Sequence, residues 1–304
     1  MVTAVVDGRR LQLSNLDKVM YPATETTKGE VLNYYAKAAR FLLPHLAGRP
    51  VTRIRWPHGT QGPSFFEKNL PSGAPSWLHF VEVATTGSRA QSGNDTIRYP
   101  VIRDLADLTY LVNLASLELH VPQWRFADDG RAGNPDRLVI DLDPGTPAGL
   151  HECAQVALLV RDRLAGIGLA TAPVTSGSKG MQLYAALPGE QDSDTIRDIT
   201  RDVAQDLTRA HPELVVWKMT KSLRPGKVLL DWSQNIAAKT TITPYSLRGR
   251  DVPHVAAPRT WAEVEHGAEK RDGLRQLDLD EVLARLARNG DIFASTLSRS
   301  TSLH

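Results

Sequence analysis

The sequence predicts a mixed α/β (α+β) fold with buried central strands. Short apolar runs such as Leu138-Val139-Ile140 and Val228-Leu229-Leu230 read as core strands, the first closed by Pro144-Gly145 and the second by Asp231. Between such runs lie stretches with apolar residues three and four apart, the period of a helix packed by one face. A length of 304 residues and a hydrophobic content of 41% can bury a large core, as one domain or as two intimate lobes.

Taken in order, residues 11–13 read as a short strand. Thr27-Lys28-Gly29-Glu30 is a capping box, and it opens an amphipathic helix carrying Val31, Tyr34, Tyr35, Ala38 and Leu42. A strand is expected at 51–56 and a loop at 63–68. Residues 81–83 and 96–99 suggest a hairpin around a Gly/Ser/Asn-rich loop at 86–95, expected to be mobile. A helix follows at 105–115, with Leu105, Leu108, Val112 and Ala115 on one stripe. The pattern then predicts a short strand at 117–125, a helix at 148–164, strands at 172–175 and 181–185, and a helix at 193–210 turning Ile196, Ile199, Val203 and Leu207 inward. Strands at 227–231 and 239–243 come next. Residues 250–275, rich in Pro, His and charge, are expected to strap over the surface before a last helix at 277–286. The ordered domain is expected to span 1–292, with 293–304 a disordered Ser/Thr-rich tail. There is no internal repeat.

Composition removes several classes of function. A lone cysteine, Cys153, rules out a disulfide framework and a cysteine-rich zinc site, and fits a reducing cytoplasm. The N-terminus has no signal-peptide h-region, and no run approaches the ~18 apolar residues of a membrane span. A net charge of +2 is too small to announce a nucleic-acid binder, but Lys218, Lys221, Arg224 and Lys227 crowd together, with Arg248 and Arg250 soon after. That local excess hints at a polyanionic partner.

Asp141 and Asp143 leave the same face of their strand, roughly 6 to 7 Å apart. They are either a pair of solvated acids at a strand exit or a cation site, and hard oxygen ligands suit Mg2+ or Mn2+ better than zinc. Asp231, at the end of a second apolar strand, makes a three-carboxylate set of the size that two cations need once substrate and water fill the remaining positions. Residues 176–180 (Ser-Gly-Ser-Lys-Gly) between two strands are either a plain hairpin turn or a phosphate-holding loop. Lys28 sits where a helix start favours an anion, and Lys18 could join it if the preceding loop folds back; the alternative is a solvated helix start. His120 is either structural or part of the acidic site. Phe65 and Phe66 cannot both face one core, so one either packs down or stays free to stack on a base.

Eight motifs, running in order from about residue 10 to 290, closely resemble the polymerase domain of bacterial ligase D, in the archaeo-eukaryotic primase superfamily. They are Asn-Leu-Asp-Lys-Val-Met-Tyr-Pro at 15–22, Phe-Phe-Glu-Lys at 65–68, His-Val-Pro-Gln-Trp-Arg at 120–125, Val-Ile-Asp-Leu-Asp-Pro-Gly at 139–145, Thr-Ser-Gly-Ser-Lys-Gly at 175–180, Lys-Ser-Leu-Arg at 221–224, Asp-Trp-Ser-Gln-Asn at 231–235 and Pro-Tyr-Ser-Leu-Arg-Gly-Arg at 244–250. The resemblance implies a two-lobed primase-polymerase fold with an RRM-like catalytic sheet, and template-directed nucleotidyl transfer onto a 3′-hydroxyl, often with ribonucleotides. It implies Asp141, Asp143 and Asp231 as ligands of two Mn2+ or Mg2+ ions, with His120 beside them in the catalytic site. Ser176, Lys179, Gln182, Arg224, Lys239 and Arg248 would bind the nucleoside triphosphate. Asn15, Lys18 and Lys28 would hold the 5′-phosphate of a DNA end, and Phe65 and Phe66 would pack on template bases. Gapped or broken 5′-phosphorylated DNA is the expected partner of a monomer, with Ku and a separate ligase as candidate protein partners, in the nucleoid-associated cytoplasm.

Two departures stand out. The superfamily usually carries a histidine where this chain has Gln182, which can donate a hydrogen bond but cannot carry charge. No ligase or phosphoesterase unit follows, as expected of an excised domain or of a stand-alone primase-polymerase. The alternatives to a gap-filling polymerase are an end-binding module weakened through Gln182 and a metal-dependent phosphoesterase.

Overall fold

The computed structural model describes residues 1–84 and 96–297, so the expected mobile loop at 86–95 and the chain beyond 297 lie outside it. A six-stranded sheet forms the larger lobe, in the order Val215–Val216, Val228–Asp231, Arg137–Pro144, Met181–Ala186, Thr171–Thr175 and Ala257–Pro258. Its pairings are antiparallel except Val215–Val216 with Val228–Asp231. Period two decides which face each side chain takes. Leu138, Ile140 and Leu142, with Met181, Leu183, Val228 and Leu230, turn to one face and bury against the Leu150–Ala165 and Ser193–Ala210 helices. The intervening residues, Val139, Asp141, Asp143, Gln182, Tyr184 and Asp231, are left for the other face.

The smaller lobe is a four-stranded antiparallel sheet, Thr241–Ile242, Ser116–Val121, Thr52–Arg55 and Phe65–Glu67. The Lys28–Leu46 and Leu105–Asn113 helices pack on it. Thr27 caps the first of these with the full predicted capping box, worth about 1 kcal/mol. Val31, Tyr34, Tyr35, Ala38 and Leu42 are buried as the periodicity required, the larger of them contributing about 1.5–3 kcal/mol each. A third apolar cluster, including Val139, Tyr184, Ile242 and Phe293, joins the lobes on the acid-bearing face of the large sheet. No helix of the described residues is long and apolar enough to cross a membrane.

Four expectations need correction. Residues 63–68 are not all loop: Phe65–Glu67 is the edge strand of the small sheet, because Glu67 is drawn to the Arg53 and Arg55 guanidiniums of the facing strand. The 105–115 helix stops at Asn113, and Ala115 takes a positive φ of 63°. Residues 250–275 are no surface strap. Val255, Ala256, Ala257 and Val264 are buried, Ala257–Pro258 closes one edge of the large sheet, and the Trp261–Glu269 helix packs into its core. The surrounding charge hid those apolar positions. Order also runs past 292: Phe293 is fully buried and Ala294–Leu297 is helical. Asp291 secures that end, accepting from the Phe293 and Ala294 N–H groups and the Tyr245 hydroxyl, and pairing with His45.

Candidate active site

Antiparallel pairing puts Asp141 directly opposite Asp231 on one side and Gln182 on the other. Asp143 lies on the same face, one pleat along. Burial, then the opposing charge of Asp231, pushes the Asp141 carboxyl up to about 7, and a hydrogen bond from Gln182 only partly offsets this. Asp231 is pinned by the Ser233 N–H at 3.0 Å and by Gln234 Nε2 at 2.8 Å. Lys239 reaches the same cluster through the Ser233 hydroxyl. Asn235, the last residue of that turn, brackets Val139 through its N–H (2.9 Å) and C=O (2.7 Å), replacing the strand partner lost where the ladder ends. Arg224 stands 3.5 Å from Asp143.

From the small sheet, His120 faces this cluster together with Glu118, two residues earlier and on the same strand face. The buried Glu118 carboxylate bonds His120 Nε2 at 2.7 Å and accepts from Arg248 Nη1 at 3.1 Å and the Gly249 N–H at 2.9 Å. Burial would raise its pKa, but the His120 hydrogen bond and the Arg248 charge hold it below the ordinary carboxylate value. The Arg248 segment is itself held by tyrosine hydroxyls: Tyr21 donates to the Arg248 carbonyl, Tyr34 to that of Tyr245, and Tyr35 accepts from the Leu247 N–H. The inward face of the first helix therefore aims a site residue as well as filling a core.

Beside these groups opens a cavity of about 430 Å³, whose lining does not include Asp231, Arg224 or Lys239. Its wall carries His120, Asp141, Asp143, Ser176, Lys179, Gln182 and Arg248, and also Arg250. The 176–180 loop is tighter than a bare phosphate cradle. Gln276 accepts from the Gly177 N–H at 2.7 Å and donates to the Gly180 carbonyl at 3.0 Å, and the Ser176 and Ser178 N–H groups are bonded within the loop. The Lys179 ammonium, rather than a ring of free amides, is what the loop offers an anion. Gly177, at φ +70°, admits no side chain, since a Cβ would lie 2.6 Å from Arg248. Gln182 lines the cavity directly opposite Asp141, and its amide oxygen accepts from the Tyr184 hydroxyl at 2.9 Å.

The remaining predicted residues form two outlying groups. The loop before the first helix does fold back, bonding the Lys28 N–H to the Lys18 carbonyl and the Gly29 N–H to that of Leu16. Asn15 turns the chain at φ +54°. Those helix-start amides are therefore already used, and anion binding there falls to the two ammonium groups. Lys18 Nζ donates to the Pro57 carbonyl and Lys28 Nζ to that of Ser14. Burial, then the neighbouring Lys18 charge, lowers Lys28 to about 8. Phe65 and Phe66 are both exposed, at 48% and 57%, on the edge strand. Phe66→Ala should then weaken single-stranded template binding by about 1–3 kcal/mol while leaving the melting temperature unchanged, as fluorescence anisotropy and calorimetry would show.

Among the described residues no three His, Cys, Asp or Glu side chains stand close enough to hold a metal ion as they are. The donor chemistry nonetheless fits a hard divalent cation. Asp141 and Asp231 face each other across the ladder, and burial with that opposing charge raises the Asp141 pKa, a repulsion that a bound cation would relieve. Asp143 would complete the set on leaving Arg224. Glu118, Gln276 and Tyr184 were not singled out by sequence reasoning. A period-two pattern could have found two of them, since Glu118 precedes His120 and Tyr184 follows Gln182 by two residues.

Comparison with known proteins agrees with this arrangement. The family model described as LigD, primase-polymerase domain, matches residues 27–293. The multifunctional non-homologous end joining DNA repair protein LigD of Mycobacterium tuberculosis is 52% identical over 289 residues, covering 93% of this chain and 36% of that protein. The bifunctional non-homologous end joining protein LigD of Bacillus subtilis is 34% identical over 282 residues, covering 92% and 43%. The chain thus spans well under half the length of these relatives. A solved structure of the polymerase domain from Mycobacterium tuberculosis ligase D in complex with DNA superposes with a TM-score of 0.88 at 49% identity, covering 96% of this chain and 99% of that one. With the ordered motifs, the two-lobed fold and the match along nearly the whole chain, this protein belongs to the LigD primase-polymerase domain family.

Proposed function

We propose that the cavity between the lobes carries out template-directed nucleotidyl transfer, filling short gaps or extending 3′ ends during the repair of broken DNA. The observation that carries this reading is the convergence of Asp141, Asp143 and Asp231 on one sheet face beside Lys179 and Arg248. The carboxylates would hold two Mn2+ or Mg2+ ions, which when bound supply charge neutralisation at the triphosphate and acidify the attacking 3′-hydroxyl. Lys179 and Arg248, with Arg224 once free of Asp143, orient the triphosphate and balance the charge of departing pyrophosphate. Ser233 and Gln234 fix Asp231, and Glu118 keeps His120 and Arg248 aimed inward. Ribonucleotide preference, monomeric action on chromosomal DNA in the cytoplasm, and cooperation with Ku and a separate ligase complete the proposal.

The test is incorporation on a gapped, 5′-phosphorylated duplex with Mn2+, comparing ribo- and deoxynucleotides. Equal extension by wild type and Asp141→Ala would sink it. The Lys18/Lys28 pair is the proposed seat of the downstream 5′-phosphate, so Lys18→Ala should weaken phosphorylated ends far more than hydroxyl ends. Because Lys28 is lowered to about 8, its charge is lost as pH rises through that value. Selectivity for a 5′-phosphate, measured by anisotropy at constant ionic strength, should therefore drop by up to about fivefold from pH 8 to 9. A flat profile would assign recognition to Lys18 or the general basic surface.

A further inference from the structure

A buried row of polar side chains, tied by hydrogen bonds, leads to Asp141. It starts at Arg137, earlier on the same strand and 1% exposed, whose Nε donates to Gln123 Oε1 at 2.7 Å. Gln123 Nε2 donates to the Thr241 hydroxyl, and the Thr241 side chain lies beside the Tyr184 hydroxyl. Tyr184 donates to Gln182 Oε1 at 2.9 Å, and Gln182 lies directly opposite Asp141 across the ladder. Each intermediate member is buried, and the Arg137, Gln123 and Tyr184 donors all point along the row toward the carboxylate.

The direction matters because a glutamine amide has a donor end and an acceptor end. With the Tyr184 hydroxyl on its oxygen, Gln182 must turn its NH2 to the facing Asp141. Without that hydroxyl the amide is free to turn over, and its oxygen would then oppose a carboxylate. The guanidinium at the head polarises the bonds that follow in the same sense. The Arg137 guanidinium also lies 5.4 Å over the Tyr184 ring, so the head of the chain and its fourth member are packed as one unit.

We propose that Arg137, Gln123, Thr241, Tyr184 and Gln182 form a positioning relay that presents the Asp141 carboxylate to a divalent cation, with Tyr184 as the member that sets the Gln182 amide. This rests on the reading of Asp141 as a metal ligand. It gives Gln182 a task different from the phosphate contact expected of it, and one that a glutamine performs through its two unlike ends.

The test uses the full chain without DNA or nucleotide, following Mn2+ binding by the paramagnetic resonance of the free ion. It is paired with kcat and nucleotide KM on a gapped duplex. Tyr184→Phe, which removes only the hydroxyl, should weaken Mn2+ binding about fivefold, the worth of one hydrogen bond. It should lower kcat at limiting Mn2+ while leaving nucleotide KM and DNA affinity unchanged. Gln182→Met should weaken Mn2+ at least as much, and adding Tyr184→Phe to it should cause no further loss. Thr241→Val, the next member of the row, removes the hydroxyl that accepts from Gln123 and gives a second break if the tyrosine variant misfolds. Wild-type Mn2+ binding by Tyr184→Phe and Thr241→Val, or additive losses in the double variant, would overturn the relay. Either result would mean that the Tyr184 hydroxyl instead serves the Ile242 carbonyl, 3.2 Å away. Failure confined to these variants leaves the polymerase reading intact. Mn2+ binding that is insensitive to Asp141→Asn would overturn both.

Discussion

Asp141→Asn should lower Mn2+-dependent nucleotide incorporation by at least about a thousandfold, since a catalytic cation contributes several kcal/mol and each ~1.4 kcal/mol is a factor of ten. Asp231→Asn should do nearly the same, and the double variant should be little worse than either, because residues acting as one unit are not additive. Stability should move the other way. The Asp141 carboxyl is raised to about 7 by burial and by Asp231, so the folded state binds its proton more tightly than the unfolded chain does. Without metal, that proton favours the fold below about pH 7, and the benefit is lost as pH rises through it. At pH 8 the metal-free Asn variant should therefore melt higher than wild type, by at least about 2 °C, and the difference should shrink toward pH 5. Calorimetry across that range, alongside primer extension, checks both halves. A variant that loses activity and also melts lower at pH 8 would mean that Asp141 holds the fold together rather than the cations.

Glu118→Ala carries the second large effect. Its carboxylate is the shared anchor of His120, Arg248 and the Gly249 N–H, and Arg248 is largely desolvated there. Truncation leaves that guanidinium without its partner, a stability loss of about 3 kcal/mol; separately, a misaimed Arg248 should lower kcat/KM by roughly a hundredfold, equivalent to ~2.7 kcal/mol of transition-state binding. The loss should fall mainly on nucleotide KM, because the carboxylate cluster is untouched. Glu118→Gln keeps an acceptor but no charge, so it should lose less. The pH dependence has a definite sign. The folded Glu118 pKa is depressed, so its stabilisation is present above the ordinary carboxylate pKa and is lost as pH falls through the folded value. Glu118→Gln should thus lower the melting temperature at pH 7 and converge with wild type near pH 3. Unchanged KM in the alanine variant would show that neither His120 nor Arg248 meets the nucleotide.

Much of the site was legible in one dimension because strands and helices have fixed periods. The Asp141-x-Asp143 spacing required one face, the capping box at Thr27 required a helix start, and the short apolar runs required buried strands; each is found. Residues 250–275 were misread because their few apolar positions are scattered among charges, and only contact with the large sheet orders them. Phe65 and Phe66 were assigned to a loop for a similar reason: an edge strand of three residues exists only through its partner.

The sequence by itself determined the mixed fold class, the order of the elements, the three acids and the family. All of these follow from local periodicity and from motifs short enough to read along the chain. The tertiary structure decided what those residues meet. It set Asp231 opposite Asp141, gave Glu118 to both His120 and Arg248, used up the helix-start amides beside Lys28, and turned Gln182 toward a carboxylate. Apart from Glu118 and His120, two residues apart on one strand, each of these partners is brought by a different segment of chain or by the register between strands. A hydrogen bond or a charge contact acts over only a few ångströms in space, so no spacing in sequence could announce those.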